Sequence, residues 1–152
     1  MLLILTTNGP YNALPSMSDW QTLGAHRFRS QDDVLCFEPH GELPLSQAQR
    51  WLQLLAAHFQ QHPDGILIVD ARQFTPPSAE VRRLFLSHFR DRRPAPPIIV
   101  FGANLLMRAA SRLVLSAARQ LYRLESDLIH CSLEAEAWTQ VEQRHRLRQP
   151  ES

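Results

Sequence analysis

Gly65-Ile-Leu-Ile-Val-Asp-Ala-Arg-Gln-Phe-Thr-Pro-Pro-Ser78 is the stretch whose reading decides the fold. Ile66 to Val69 are four consecutive apolar residues, bounded by a Pro63-Asp64-Gly65 turn and by Asp70. A run this short, apolar at every position and closed at both ends, predicts a central strand buried on both faces. Thr75 or Ser78 then caps an amphipathic helix, because Pro76 and Pro77 fit only before or within its first turn. Val81, Leu84, Phe85, His88 and Phe89 supply its apolar stripe, and the segment from Arg92 to Pro97 cannot continue it. Ile98-Ile99-Val100-Phe101 repeats the strand pattern, so strand, helix and strand form a parallel unit.

Upstream of this unit, Trp51, Leu52, Leu55 and Phe59 recur at helical spacing, with Ser46 as N-cap, Gln49 as its capping-box partner and His62-Pro63-Asp64-Gly65 as terminator. His26 to Arg29 alternates polar and apolar, Gln31-Asp32-Asp33 supplies a turn and Val34 to Phe37 follows, which predicts a β-hairpin. Residues 1 to 7 suit a short strand, whereas 8 to 24 read as irregular, held to the body by Trp20. Downstream, Gly102-Ala103-Asn104 opens a long helix to about Arg123. On a helical wheel Leu106, Ala110, Leu113, Val114, Ala117 and Leu121 face one way, Arg108, Arg112, Arg119 and Arg123 the other, and Met107, Leu115, Ala118 and Tyr122 widen the apolar arc. Leu128 to Cys131 is a last strand. Ser132 caps a final helix carrying Leu133, Ala137, Trp138 and Val141, with fraying from Arg144.

The fold class is therefore α/β: a single-domain mixed sheet, with an N-terminal antiparallel hairpin followed by alternating βα units, packed by about four helices. Residues 1-24 form an N-terminal extension, 25-146 the domain and 147-152 a frayed tail. A chain of 152 residues, 44% apolar, can bury a core without metals or disulfides. All sixteen basic residues are arginines, and fifteen acids leave a formal net charge of +1. That balance gives no whole-molecule field for nucleic acid. Cys36 and Cys131 read as buried reduced thiols. Neither a signal peptide nor an apolar run of about 20 residues is present, so a cytoplasmic protein is expected.

Taken together, the hairpin leading to Gly41-Glu42-Leu43, the strand closing on Ile-Val-Asp-Ala-Arg, the Ile-Ile-Val-Phe-Gly strand before a long helix, and the late Leu-Glu-Ala-Glu-Ala-Trp helix resemble the SpoIIAA-like branch of the STAS domains, also grouped as STAS/SEC14-like proteins. The resemblance spans about residues 25 to 143. It implies a small mixed sheet packed by helices and a non-enzymatic protein acting through protein partners or a small apolar ligand. In the anti-sigma factor antagonists of this superfamily, an Asp-Ser pair at the start of the helix after the central strand carries the phosphorylated serine. Here that region reads Thr75-Pro76-Pro77-Ser78-Ala79, with no acid before the hydroxyl. The place is kept and the acid is not, which makes a helix cap the simpler role for Ser78.

The candidate switch or partner site is Asp70, Thr75, Ser78 and Arg82, since a phosphate on Ser78 would meet helix amides with Arg82 or Arg83 one turn on. Asp70 itself could orient a ligand or accept amide hydrogen bonds from the loop that follows; the need to turn that loop favours the second. Asn104, Met107, Arg108, Leu115 and Tyr122 are the candidate surface for a small apolar ligand or a homodimer partner. His58 and His62 stand four apart but lack a third ligand, so no metal is expected, with His58 half-buried and His62 exposed. Neither a Gly-x-Ser-x-Gly nucleophile turn nor a Gly-rich phosphate loop occurs, and no cofactor is expected. Nucleic acid is disfavoured because exposed aromatics do not interleave with the arginines. The first reading is a binding module with a protein partner, and the second a carrier or sensor of a small hydrophobic ligand or lipid. An enzyme comes third, as Asp70, Ser78 and Asn104 include no base for the serine.

Overall fold

A computed structural model of the chain describes residues 19–90, 96–109, 111–112, 116 and 127–149. The elements in order are β1 (Gln21–Leu23), β2 (His26–Gln31), β3 (Val34–Glu38), α1 (Leu45–Gln61), β4 (Ile66–Asp70), α2 (Ala79–Arg90), β5 (Ile98–Phe101), β6 (Leu128–Cys131) and α3 (Glu134–Arg148). A further helical segment opens at residue 105, between β5 and β6. The strands form one sheet in the order β1-β2-β3-β4-β5-β6. The first three pair antiparallel, and β3 through β6 run parallel. This is the mixed sheet with an N-terminal hairpin that the sequence predicts.

Period-two alternation divides β4 between two cores. Leu67 and Val69 join Leu35, Phe37, Trp51, Leu52, Leu55 and Val81 beneath α1 and α2. Ile66 and Ile68 join Val34, Cys36, Ile99, Phe101 and Cys131 against Ala137 and Val141 of α3. Covered on both faces, β4 cannot afford a polar residue until it reaches Asp70, which is why the run is unbroken. Phe37 stacks on Trp51 with ring centroids 4.0 Å apart, locking α1 to β3.

Cys36 and Cys131 are buried free thiols. They lie on β3 and β6, three strand spacings or about 14 Å apart across the sheet, which is too far for a disulfide. Burial pushes the Cys36 thiol up to about 11, so it stays protonated and unreactive.

Several local expectations change. Gln21–Leu23, expected as irregular, is a strand paired with β2, and Gly24 makes the turn between them at φ +60°. Trp20 does pin the segment, with the Arg27 and Arg29 guanidiniums 4.3 and 4.7 Å from its ring centroid. α1 starts earlier than the Ser46 cap predicts: Pro44 holds the N-cap position with no side-chain cap, and its carbonyl takes the Ala48 N–H. Leu133, not Ser132, is the N-cap of α3, and Glu136 reaches back to the Ser132 and Leu133 amides at 3.0 and 2.9 Å. Leu133 is itself exposed rather than packed.

α3 also does not fray at Arg144. Arg144 pairs with Asp127, and His145 and Arg148 both reach the Asp33 carboxylate, each with a contact of 2.9 Å. Asp33 is a tie point: its carbonyl accepts His58 Nε2–H at 2.9 Å and the Ile66 amide at 3.0 Å. Burial pushes the Asp33 carboxyl up, but the Arg148 and His145 contacts outweigh it and hold the group below its ordinary value. His58 is accordingly fully buried and His62 half-buried, against the expected half-buried and exposed pair. The predicted strand at residues 1 to 7 lies outside the described residues, as do Ala110, Leu113, Val114, Leu115, Ala117, Ala118, Arg119, Leu121, Tyr122 and Arg123.

Candidate functional site

The carboxyl ends of β3, β4, β5 and β6 share one edge of the sheet, and the predicted residues that can be placed gather there. Register puts Arg27 opposite Glu38, and Asp70 opposite Phe101 opposite Cys131. Two ion-pair systems occupy this edge. In the first, Arg27 grips Glu38 through Nε at 2.6 Å and a second guanidinium nitrogen at 3.1 Å. The His40 ring bridges Glu38 through Nε2 at 2.8 Å and Gln73 through Nδ1 at 2.9 Å. Arg27 chiefly holds the Glu38 carboxyl below its ordinary value, and Glu38 followed by Gln73 raises His40. The buried His26 supports the group: its Nδ1 accepts the His40 backbone N–H at 2.9 Å, and burial keeps the ring neutral.

Asp70 belongs to the second system. Its Oδ1 accepts the Arg72 backbone N–H at 3.0 Å and Nε–H at 2.9 Å, and Oδ2 accepts a third Arg72 bond at 2.6 Å. The carboxylate thus turns the Ala71-Arg72-Gln73 loop and is neutralised by that loop's own arginine. Arg72 also lies over the Phe101 ring at 5.5 Å and rests on Gly102, where a Cβ would collide with the arginine stem. Gly102 has φ +78°, so both backbone and space require glycine there.

The loops beyond β3 and β4 continue to pair past the strand ends, with Gly41 N–H on Gln73 O at 2.8 Å and a Gly41 to Phe74 bridge. That pairing carries the chain to Ser78. Ser78 Oγ accepts the Val81 N–H at 3.2 Å, which makes it the cap of α2, and Arg82 closes on the Pro77 carbonyl at 2.7 Å. Thr75 is exposed, and its amide reaches Gly41 O at 3.4 Å; it does not cap the helix. Thr75, Ser78 and Arg82 therefore line one exposed ledge at the start of α2, while Asp70 is buried at the end of β4.

At the second predicted surface, Asn104 Oδ1 caps the helical segment through the Met107 N–H at 2.8 Å. Met107 is core, packed with Ala71, Ala103, Phe74 and Val100, while Leu106 is exposed. The wheel is rotated from the expected one, which placed Leu106 inward. Arg108 reaches the Ala103 and Cys131 carbonyls at 3.3 and 3.4 Å. Leu115 and Tyr122 lie outside the described residues. His58 and His62 have ring centroids 4.8 Å apart, and among the described residues no group of three His, Cys, Asp or Glu could hold a metal.

The sheet order, the two-sided core and the capped helix after the central strand together have a match among solved structures. The anti-sigma factor antagonist SpoIIAA, in its unphosphorylated form, superposes with a TM-score of 0.56 at 14% identity, covering 78% of this chain and 98% of that one. The fold is STAS-like. No family model and no curated protein matches the sequence. The STAS-like sheet thus carries Ser78 at the head of the helix after its central strand. Among the described residues no helix is long and apolar enough to cross a membrane.

Sequence reasoning missed Arg27, Glu38, His40, Arg72 and Gln73. Two of these were countable: with Gln31 opposite Val34 across a two-residue turn, four steps back and four forward bring Arg27 to Glu38. Asp70-Ala71-Arg72 offered a local clue, an acid with a basic partner two residues on. His40 and Gln73 meet only because two loops pair in space, and no sequence spacing announces that.

Proposed function

We propose that this protein is a non-enzymatic regulatory module that binds a protein partner through the ledge formed by Thr75, Ser78 and Arg82. The observation that carries this reading is the placement of an exposed serine at the head of α2 in a fold shared with an anti-sigma factor antagonist. The ledge is built as a surface for another macromolecule rather than for chemistry. Asp70 is occupied by Arg72, and the one described hydrogen bond of the Ser78 hydroxyl is to a backbone amide rather than to a base.

The same geometry supports a charge-controlled contact. A phosphate on Ser78 would replace a neutral cap with an anion at the amino end of a twelve-residue helix, beside Arg82. The test is a photo-crosslinking amino acid placed at Thr75 or Arg82 in the source cell, with Gln53 on the exposed side of α1 as control. A discrete protein adduct from the first two positions and none from the third is the expected result. Adducts from Gln53 alone, or from none of the three, defeat the reading. Mass spectrometry of Ser78 in the same sample determines whether phosphate accompanies the contact.

A further inference from the structure

We propose that the start of the helical segment at residue 105 is a docking surface for anionic lipid bilayers, with Leu105 and Leu106 entering the headgroup boundary and Arg108 and Arg112 meeting lipid phosphates. The proposal is independent of the protein-partner reading, which uses a different ledge. Leu105 is 84% exposed and Leu106 75%, two adjacent leucines in open solvent. Their direction is fixed, because Asn104 caps the Met107 amide and the buried Met107 side chain anchors the inner face. Ala109 and Arg112 continue the exposed side. Among the described residues Arg108 spends two N–H donors, on the Ala103 and Cys131 carbonyls, and a guanidinium carries five.

Charge selects the occupant. From Asn104 to Leu124 the sequence holds four arginines and no acid. A second copy meeting this patch about a two-fold axis would set arginines against arginines. Leucine is under-represented among the residues that anchor protein interfaces. Leucines beside arginines are instead the composition of segments that lie in a lipid interface. The surface stops short of α3, since Leu133, though exposed, is followed by Glu134 and Glu136.

The test is co-sedimentation of the full chain with phosphatidylglycerol vesicles and with phosphatidylcholine vesicles, at low and at physiological salt. Retention on the anionic vesicles that weakens with salt, and little on the zwitterionic ones, is expected. Arg112→Ala should reduce partitioning by about fivefold. The Leu105→Ser, Leu106→Ser double variant should reduce it by about tenfold or more with an unchanged thermal melt. Leu106→Cys carrying a polarity-sensitive dye gives a second readout, since Cys36 and Cys131 are buried; its emission should shift to the blue on anionic vesicles. No retention at low salt, retention indifferent to the leucine changes, an unshifted dye, or self-association that those leucines alone control would each overturn the proposal.

Discussion

Acidification should destabilise this fold along a limb set by two buried histidines. His26 and His58 are each 1% exposed. The His26 lone pair at Nδ1 is taken by the His40 backbone amide, and His58 donates Nε2–H to the Asp33 carbonyl. Burial holds both rings below the ordinary 6.5. In the unfolded chain they titrate near 6.5, so below that pH the unfolded state takes up protons that the folded state refuses. Each group then removes up to about 1.4 kcal/mol per pH unit, and the two together up to about 2.7. His40 acts in the opposite sense. Glu38 and then Gln73 raise it, so its contribution is complete below 6.5 and is lost as pH climbs through its folded value. The lowered Glu38 and Asp33 carboxyls lose their contributions only below ordinary values of 4.5 and 3.8. Stability should therefore peak near pH 6.5 and fall as the pH drops below it. Urea unfolding followed by tryptophan fluorescence across this range measures the slope. His26→Gln and His58→Gln should each be less stable at neutral pH yet show a shallower acid slope than the parent, with His130, also lowered by burial, keeping part of it. A flat parent profile over that window, or a double variant that keeps the parent's slope, would refute the reasoning.

Removing the α2 cap with Ser78→Ala should cost about 1 kcal/mol, and Thr75→Ala less than about 0.5, in paired urea titrations. Equal losses would contradict the cap assignment. Gly102→Ala should cost about 1 to 2 kcal/mol from its positive φ alone, with a further loss as the new methyl displaces Arg72 from Asp70. Pairing it with Arg72→Ala in a double-mutant cycle should recover part of that loss, because the obstructed stem is gone. Asp33→Ala should cost about 2 kcal/mol and speed hydrogen exchange in the last turns of α3, where His145 and Arg148 lose their anchor, while α2 exchanges as before.

The sheet was legible because its strands are marked by what buries them. Ile66 to Val69 must be apolar throughout with helices on both faces, and Ile98 to Phe101 repeats the requirement. β1 was hidden for the converse reason: Gln21–Leu23 is three residues at an edge, held by backbone pairing to β2 that leaves no pattern in side-chain chemistry. Two prolines confine the start of α2 to Thr75 or Ser78, and the Val81 amide bond to Ser78 Oγ decides between them. Ser46 misled because Pro44 was already compatible with the N-cap position, two residues earlier. The end of α3 was misjudged because its anchor, Asp33, is more than a hundred residues away in the chain. The His40 bridge is hidden for a related reason: Glu38 is two residues away, but Gln73 is 33 residues on, in the loop beyond another strand. The rotation that exposes Leu106 and buries Met107 follows from the Asn104 cap, a local bond that sets the first turn before hydrophobic spacing can.

The strand order has a kinetic corollary. Each strand lies beside the one that precedes it in the chain, so the sheet can lengthen at a single growing edge as the polypeptide emerges. No later strand has to be threaded between two that have already paired, and every loop closure spans one connection at most. Contacts of that kind keep mean sequence separation low for a mixed parallel sheet, which favours fast folding. The exception is the clasp between Asp33 and the end of α3. It closes the longest loop among the described hydrogen bonds, so its closure entropy is the largest of them.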